Sequence, residues 1–135
     1  MEKIKSLKNV MFSLLVVFVA VVFFLSRTAR GNGMEMILFY SPSCHHCHAA
    51  IEFLDNKVVP KYPDLKITKH NTTTRVGANY YIYYKKKLNF DTNGVPVAVF
   101  GDKYEVGFGT EDTTGKVYLE NIDEMFKKLS EEKAK

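Results

Sequence analysis

The sequence predicts an α/β domain, a small mixed β-sheet flanked by helices on both faces, preceded by one N-terminal transmembrane helix. Three observations carry this expectation. An uncharged apolar run, Val10 to Leu25, stands between basic flanks. Short apolar or alternating runs interleave with helix-periodic stretches in the order strand, helix, strand, helix, strand, strand, helix, which places helices on both sides of one sheet. Where the first strand gives way to the first helix, the chain presents Cys44-His45-His46-Cys47.

The run from Val10 to Leu25 is broken only by Ser13, and Lys3, Lys5 and Lys8 precede it while Arg27 and Arg30 follow. As a helix it spans roughly 24 Å, and snorkelling of Lys8 and Arg27 extends that reach across the hydrocarbon core. Ala29-Arg30-Gly31 is only a weak cleavage signal and there is no lipobox cysteine, so residues 1–30 read as an uncleaved anchor rather than a cleaved signal. Either reading exports the rest of the chain. Three lysines before the run against two arginines after it place the N-terminus inside. The expectation is a single-pass protein of the cell membrane with residues 31–135 as its domain outside the cytoplasm.

Gly31-Asn32-Gly33 is a joint, and the domain begins near Met34. Met36 to Tyr40 is apolar without alternation, as in a strand covered on both faces. Pro42 ends it and Ser43 is the expected N-cap of a helix whose Cys47, Ile51, Leu54 and Val58 form one stripe. Pro60 and Pro63 close that helix. Leu65 to Lys69 alternates as a half-wet strand. Asn71 to Thr74 supplies caps for a second helix, with Val76, Tyr80, Tyr83, Tyr84 and Leu88 expected inward and Lys85-Lys86-Lys87 at its negative end. After the Asp91-Thr92-Asn93-Gly94 turn comes the strand Val95 to Phe100, with Pro96 at its beginning, where no ladder donor is required. Gly101-Asp102 turns into a hairpin partner, Lys103 to Phe108, which ends at Gly107-Phe108-Gly109. The last helix is expected from Asn121, with Ile122, Met125, Phe126 and Leu129 inward and the terminal residues frayed.

Charge narrows the partners. Residues 1–30 carry five basic residues and one acidic, which accounts for the whole formal charge of +4, while the 14 basic and 14 acidic residues of 31–135 cancel. A neutral domain gives no electrostatic case for nucleic acid. The two cysteines of the motif are the only ones in the chain, too few for a disulfide-stapled scaffold.

Two cysteines three apart at the first turn of a helix lie close enough to bridge, Cys44 at the open end and Cys47 one turn inward on the buried stripe. Free backbone N–H groups and the positive helix end favour an anion at Cys44, and His45 and His46 add to this by charge or by hydrogen bonding. The pair therefore reads as a dithiol/disulfide redox centre with Cys44 as nucleophile.

From about Met34 to Leu129 the chain resembles the thioredoxin-fold family, on Ser41-Pro42-Ser43-Cys44-His45-His46-Cys47 and Gly94-Val95-Pro96. The resemblance implies a thioredoxin-like fold, Cys47 as resolving thiol, Pro96 as a cis-proline facing the cysteines, and the backbone of Val95 as the edge against which an extended substrate pairs. His46, just before the second cysteine, is similar to the DsbA-type oxidants, where that histidine stabilises the reactive thiolate. Leu38 stands where thioredoxins keep a buried acid, so proton transfer at Cys47 needs water or another group. The segment before Pro96 is too short for the DsbA helical insertion, and Ile37 to Cys44 together with Gly107-Phe108-Gly109 also looks like glutaredoxins.

The expected activity is thiol–disulfide exchange with protein thiols, protein disulfides or another redox protein, and with no cofactor, because the dithiol carries the chemistry. The competing reading is a protein that binds or delivers zinc or copper through Cys44, His45, His46, Cys47 and His48. Neighbouring helical residues point about 100° apart, so only Cys44, Cys47 and His48 can share a face. That leaves a tetrahedral site one ligand short, with His70 as the outlying fourth. His48 otherwise reads as a solvated residue at the edge of the motif.

Overall fold

The computed structural model describes residues 11–22 and 34–135. The chain divides into two units, Met1–Asn32 and Gly33–Lys135. In the first, residues 11–22 are helical, with exposed apolar side chains such as Phe12 and Phe18. Among the described residues no helix is long and apolar enough to cross a membrane. The expected transmembrane helix is thus represented only by residues 11–22. Val10, Phe23 to Leu25, both basic flanks and the glycine joint lie outside the described residues.

The second unit follows the expected order. Its strands are β1 (Glu35–Tyr40), β2 (Lys66–Asn71), β3 (Val97–Phe100) and β4 (Lys103–Val106), and its helices α1 (His45–Phe53), α2 (Arg75–Leu88) and α3 (Lys116–Lys133). They build one four-stranded sheet in the order β2-β1-β3-β4. β1 runs parallel to β2 and antiparallel to β3, with Leu38 opposite Ala98, and β3 pairs antiparallel with β4. α1 continues through a π-helical turn (Leu54–Val58) into a last α-turn (Val59–Lys61) before Tyr62.

The pleat explains why β1 shows no alternation. Met36 and Leu38 face a core shared with Ala50, Phe53, Leu54, Tyr118 and Ile122, whereas Ile37 and Phe39 face a second core with Tyr81, Phe90, Val97 and Val99. Each large side chain so buried contributes about 1.5–3 kcal/mol over leaving it in water.

Three expectations are corrected here. The cap of α1 is Cys44 and not Ser43: the cysteine has extended backbone and its sulfur accepts the Cys47 N–H. The inward face of α2 is Gly77, Tyr81, Tyr84 and Leu88, while Val76, Tyr80 and Tyr83 are exposed. Gly77 decides that rotation, because a Cβ there would sit 1.9 Å from the Asn71 carbonyl oxygen, so only glycine lets α2 approach the end of β2. Finally, the last helical segment begins well before Asn121. Thr110 and Thr113 form a reciprocal cap, a π-helical turn (Glu111–Gly115) follows, and α3 then runs to Lys133, into the terminal stretch expected to fray.

Candidate active site

The site lies where β1 ends, α1 begins and β3 is entered. After Tyr40 the chain makes a turn in which the Cys44 N–H donates to the Ser41 carbonyl at 3.1 Å. His48, one turn into α1, donates from Nε2 to the Pro42 carbonyl at 2.7 Å and so pins the loop that carries Cys44. This role is invisible in a residue that reads as solvated. Cys44 is left half-buried at the helix start, and the Cys47 N–H donates to its sulfur at 3.2 Å. The sulfur therefore sits at the N-terminal end of α1 with one amide hydrogen aimed at it.

Cys47 has no solvent exposure. Burial, and then hydrogen bonding with the Cys44 sulfur beside it, push its thiol up from the ordinary 9.0 to about 12. Complete burial explains the direction, since the described residues include no buried charged side chain that would offset it. Leu38 occupies the position of a possible acid with a methyl-bearing side chain. Tyr118, on α3, is a titratable companion from another element, and its own hydroxyl is pushed up by burial and by the charges of Glu105 and Cys47. Tyr118 falls in a stretch without a clear element assignment in sequence. The signal that could have placed it is the helical spacing of Tyr118, Ile122 and Met125.

Across from the cysteines, the Val95–Pro96 peptide bond is cis. The Cys44 thiol donates to the Val95 carbonyl at 3.5 Å, and Pro96 is fully buried. Two anchors hold this loop. The Tyr81 hydroxyl lies 2.9 Å from the Gly94 carbonyl oxygen and 3.1 Å from that of Thr92, and the Gly107 N–H donates to the Pro96 carbonyl at 2.7 Å. Gly107 has φ +82°, a left-handed conformation that glycine adopts freely.

His46 Nδ1 donates to the Phe108 carbonyl at 2.9 Å, which fixes its ring against the Gly107-Phe108-Gly109 stretch. His45 is exposed, with its ring centroid 6.0 Å from that of His46. Among the described residues neither imidazole hydrogen-bonds to the Cys44 sulfur. The structure therefore brings together Cys44, Cys47, Val95 and Pro96, and puts His46 on the rim beside them. A depression of about 340 Å³ runs along this rim between His46, Val95, Pro96, Gly107 and Gly109.

The donors of the metal reading diverge. His46 and His48 are each committed to a backbone carbonyl, and His70 is stacked between Phe39 at 5.7 Å and Tyr80 at 4.4 Å. Among the described residues no three His, Cys, Asp or Glu side chains gather as a metal site would require.

A β2-β1-β3-β4 sheet with this mix of directions, a Cys-X-X-Cys pair opening the first helix and a cis-proline entering β3 together define a thioredoxin-like fold. No protein-family model and no curated protein matches the chain. Among solved structures it is similar to the glutaredoxin-like NrdH-redoxin from Escherichia coli, at 18% identity over 56% of this chain and 86% of that one, with a TM-score of 0.41. It is also similar to the glutaredoxin grx-1 from Archaeoglobus fulgidus, at 22% identity over 62% and 87%, with a TM-score of 0.43.

Proposed function

We propose that this protein is a membrane-tethered thiol–disulfide oxidoreductase, with Cys44 as nucleophile, Cys47 as resolving thiol and its domain outside the cytoplasm. The observation that carries the redox reading is the asymmetry of the two sulfurs. One is half-exposed, receives an amide hydrogen bond and sits 3.5 Å from the Val95 carbonyl, while the other is sealed in an apolar core and keeps its proton.

In the reducing direction the Cys44 thiolate attacks a substrate disulfide, forming a mixed disulfide and expelling one substrate thiolate. Cys47 then loses its proton and attacks the Cys44 sulfur, giving the Cys44–Cys47 bond and the second substrate thiolate. The oxidising direction reverses these steps, beginning with a substrate thiolate attacking the Cys44–Cys47 bond. Substrates are protein thiols or disulfides, or another redox protein, laid along the depression beside Val95 and Pro96. His46 shapes that depression through its bond to Phe108, and His45 stands exposed beside it. Tethering and location rest on the apolar run Val10 to Leu25 with its basic flanks.

Cysteine variants test the chemistry. Cys47→Ser is expected to accumulate mixed disulfides with substrate through Cys44, and Cys44→Ser to form none. Equal trapping by both variants would overturn the assignment. Location is read by reaction of Cys44 in intact cells with a membrane-impermeant maleimide, and protection until lysis would overturn the exported orientation.

A further inference from the structure

We propose that the outer face of α2 is a docking surface for an anionic lipid bilayer, so that the domain lies on the membrane surface. The inference rests on the tether reading above, and it concerns a face that the redox site does not use. Val76 is 64% exposed, Tyr80 47%, Ile82 50% and Tyr83 56%, which is unusual for four apolar or aromatic residues on one helix of a small domain. They arise because Gly77 and Tyr81 take the inward positions. Tyr80 and Tyr83, with Asn79, line an open apolar depression of about 250 Å³.

The charge around this face selects the occupant. α2 contains Arg75, Lys85, Lys86 and Lys87 and no acidic residue, whereas α1 and α3 both carry acids. Lys87 falls on the same stripe as Val76, Tyr80 and Tyr83, and its ammonium lies 5.9 Å from the Tyr83 ring centroid. Exposed tyrosines with a lysine against their rings, as Lys87 lies against Tyr83, suit the boundary between headgroups and acyl chains, where the rings sit in the interface and the ammonium group meets phosphate. The domain as a whole is charge-balanced, so this basic, apolar face is also its point of electrostatic attraction to a negative surface. Reach supports the same occupant. Ser26 to Gly33 separate the end of the apolar run from Met34 in sequence, and eight residues span at most about 28 Å, a short tether for a domain that would dock on the same bilayer.

The chain has no tryptophan, so Tyr83→Trp introduces a single reporter. The full chain carrying it is reconstituted from detergent into vesicles of phosphatidylcholine, alone or mixed with phosphatidylglycerol, with brominated lipid as quencher. The expected result is blue-shifted, quenched emission from the indole at position 83 on the anionic vesicles and weaker quenching on neutral ones. Tyr104→Trp, on β4, is expected to remain unquenched. Lys86→Glu with Lys87→Glu weakens the docked state by about fivefold or more per residue. Solvent-like emission from the Tyr83→Trp chain on both vesicles overturns the proposal, as does equal quenching of the Tyr104→Trp chain. A blue shift without lipid quenching, accompanied by a doubled mass in detergent, also overturns it and assigns the face to a second copy of this chain. Flotation with neutral vesicles reads the tether separately. If the chain floats while the reporter on α2 stays solvent-like, the tether stands and the docking face falls. If it fails to float, the tether falls and the same reporter on anionic vesicles still decides the face.

Discussion

Replacing Cys44 with serine leaves Cys47 as the sole thiol and turns its burial into a rate. Alkylating reagents react with the thiolate, so the rate follows the fraction ionised. A thiol pushed from 9.0 to about 12 is ionised less, at any pH below both values, by roughly 1,000-fold, one factor of ten for each unit. Burial, the larger cause, survives the substitution. The hydrogen bond with the Cys44 sulfur does not, so the expected suppression in Cys44→Ser is about 100- to 1,000-fold relative to the same chain unfolded in urea. Iodoacetamide modification followed by intact-mass spectrometry from pH 6 to pH 10 measures it. The rate is expected to climb tenfold per pH unit without levelling off. A plateau centred at or below pH 9, or a native rate within a few-fold of the unfolded one, would refute the argument that burial holds the proton on Cys47. The complementary Cys47→Ser chain is expected to be modified rapidly at the half-exposed Cys44.

Gly77→Ala inverts the usual helix rule: propensity favours alanine by about 1 kcal/mol, but the contact with the Asn71 carbonyl forces α2 off β2 and makes the net change a loss of about 2 kcal/mol or more, read as a lower urea midpoint at unchanged m-value. Tyr81→Phe removes the hydroxyl shared by the Gly94 and Thr92 carbonyls and is expected to cost about 1 kcal/mol, and to slow mixed-disulfide formation at Cys44 because the Val95 loop loses an anchor. The reduced protein is expected to lose stability as pH rises from about 9 toward 12, since the folded Cys47 holds its proton where the unfolded one releases it. That contribution is complete below pH 9. Buried tyrosines such as Tyr118 and Tyr81 lose stability there in both redox states, so the disulfide form is expected to lose less than the reduced form by the Cys47 part, which chemical denaturation at pH 8 and pH 10.5 in both states would show.

β1, α1 and β3 are legible in the sequence because their signals are redundant. An unbroken apolar run, a proline stop and a helical stripe through Cys47 and Leu54 agree with one another. The face of α2 is not, because Tyr80-Tyr81-Ile82-Tyr83-Tyr84 offers an aromatic or aliphatic residue in every direction. The residue that chooses among them, Gly77, has no side chain for a hydrophobic pattern to register. The start of the last helical segment is hidden for a different reason: the wider π-helical turn at Glu111–Gly115 precedes the regular period from Lys116 onward, and its cap is a Thr–Thr pair instead of the usual serine–glutamate one. At the site, the spacing of Cys44 and Cys47 exposes their division into an open and a sealed sulfur. What it cannot expose are partners contributed by distant backbone, such as the Phe108 carbonyl that holds His46 and the Val95 carbonyl that faces Cys44. Carbonyl acceptors carry no residue-type signature, so only the folded topology reveals them.

Because the Cys47 amide hydrogen is aimed at the Cys44 sulfur, its magnetic resonance frequency tracks whatever that atom has become. Thiol, thiolate, mixed disulfide and internal disulfide differ in charge and electron density at a single acceptor, and each would move the same cross-peak to its own place. A nitrogen-15 spectrum of the intact chain would thus read the chemical state of the Cys44 sulfur from a backbone atom of the neighbouring turn.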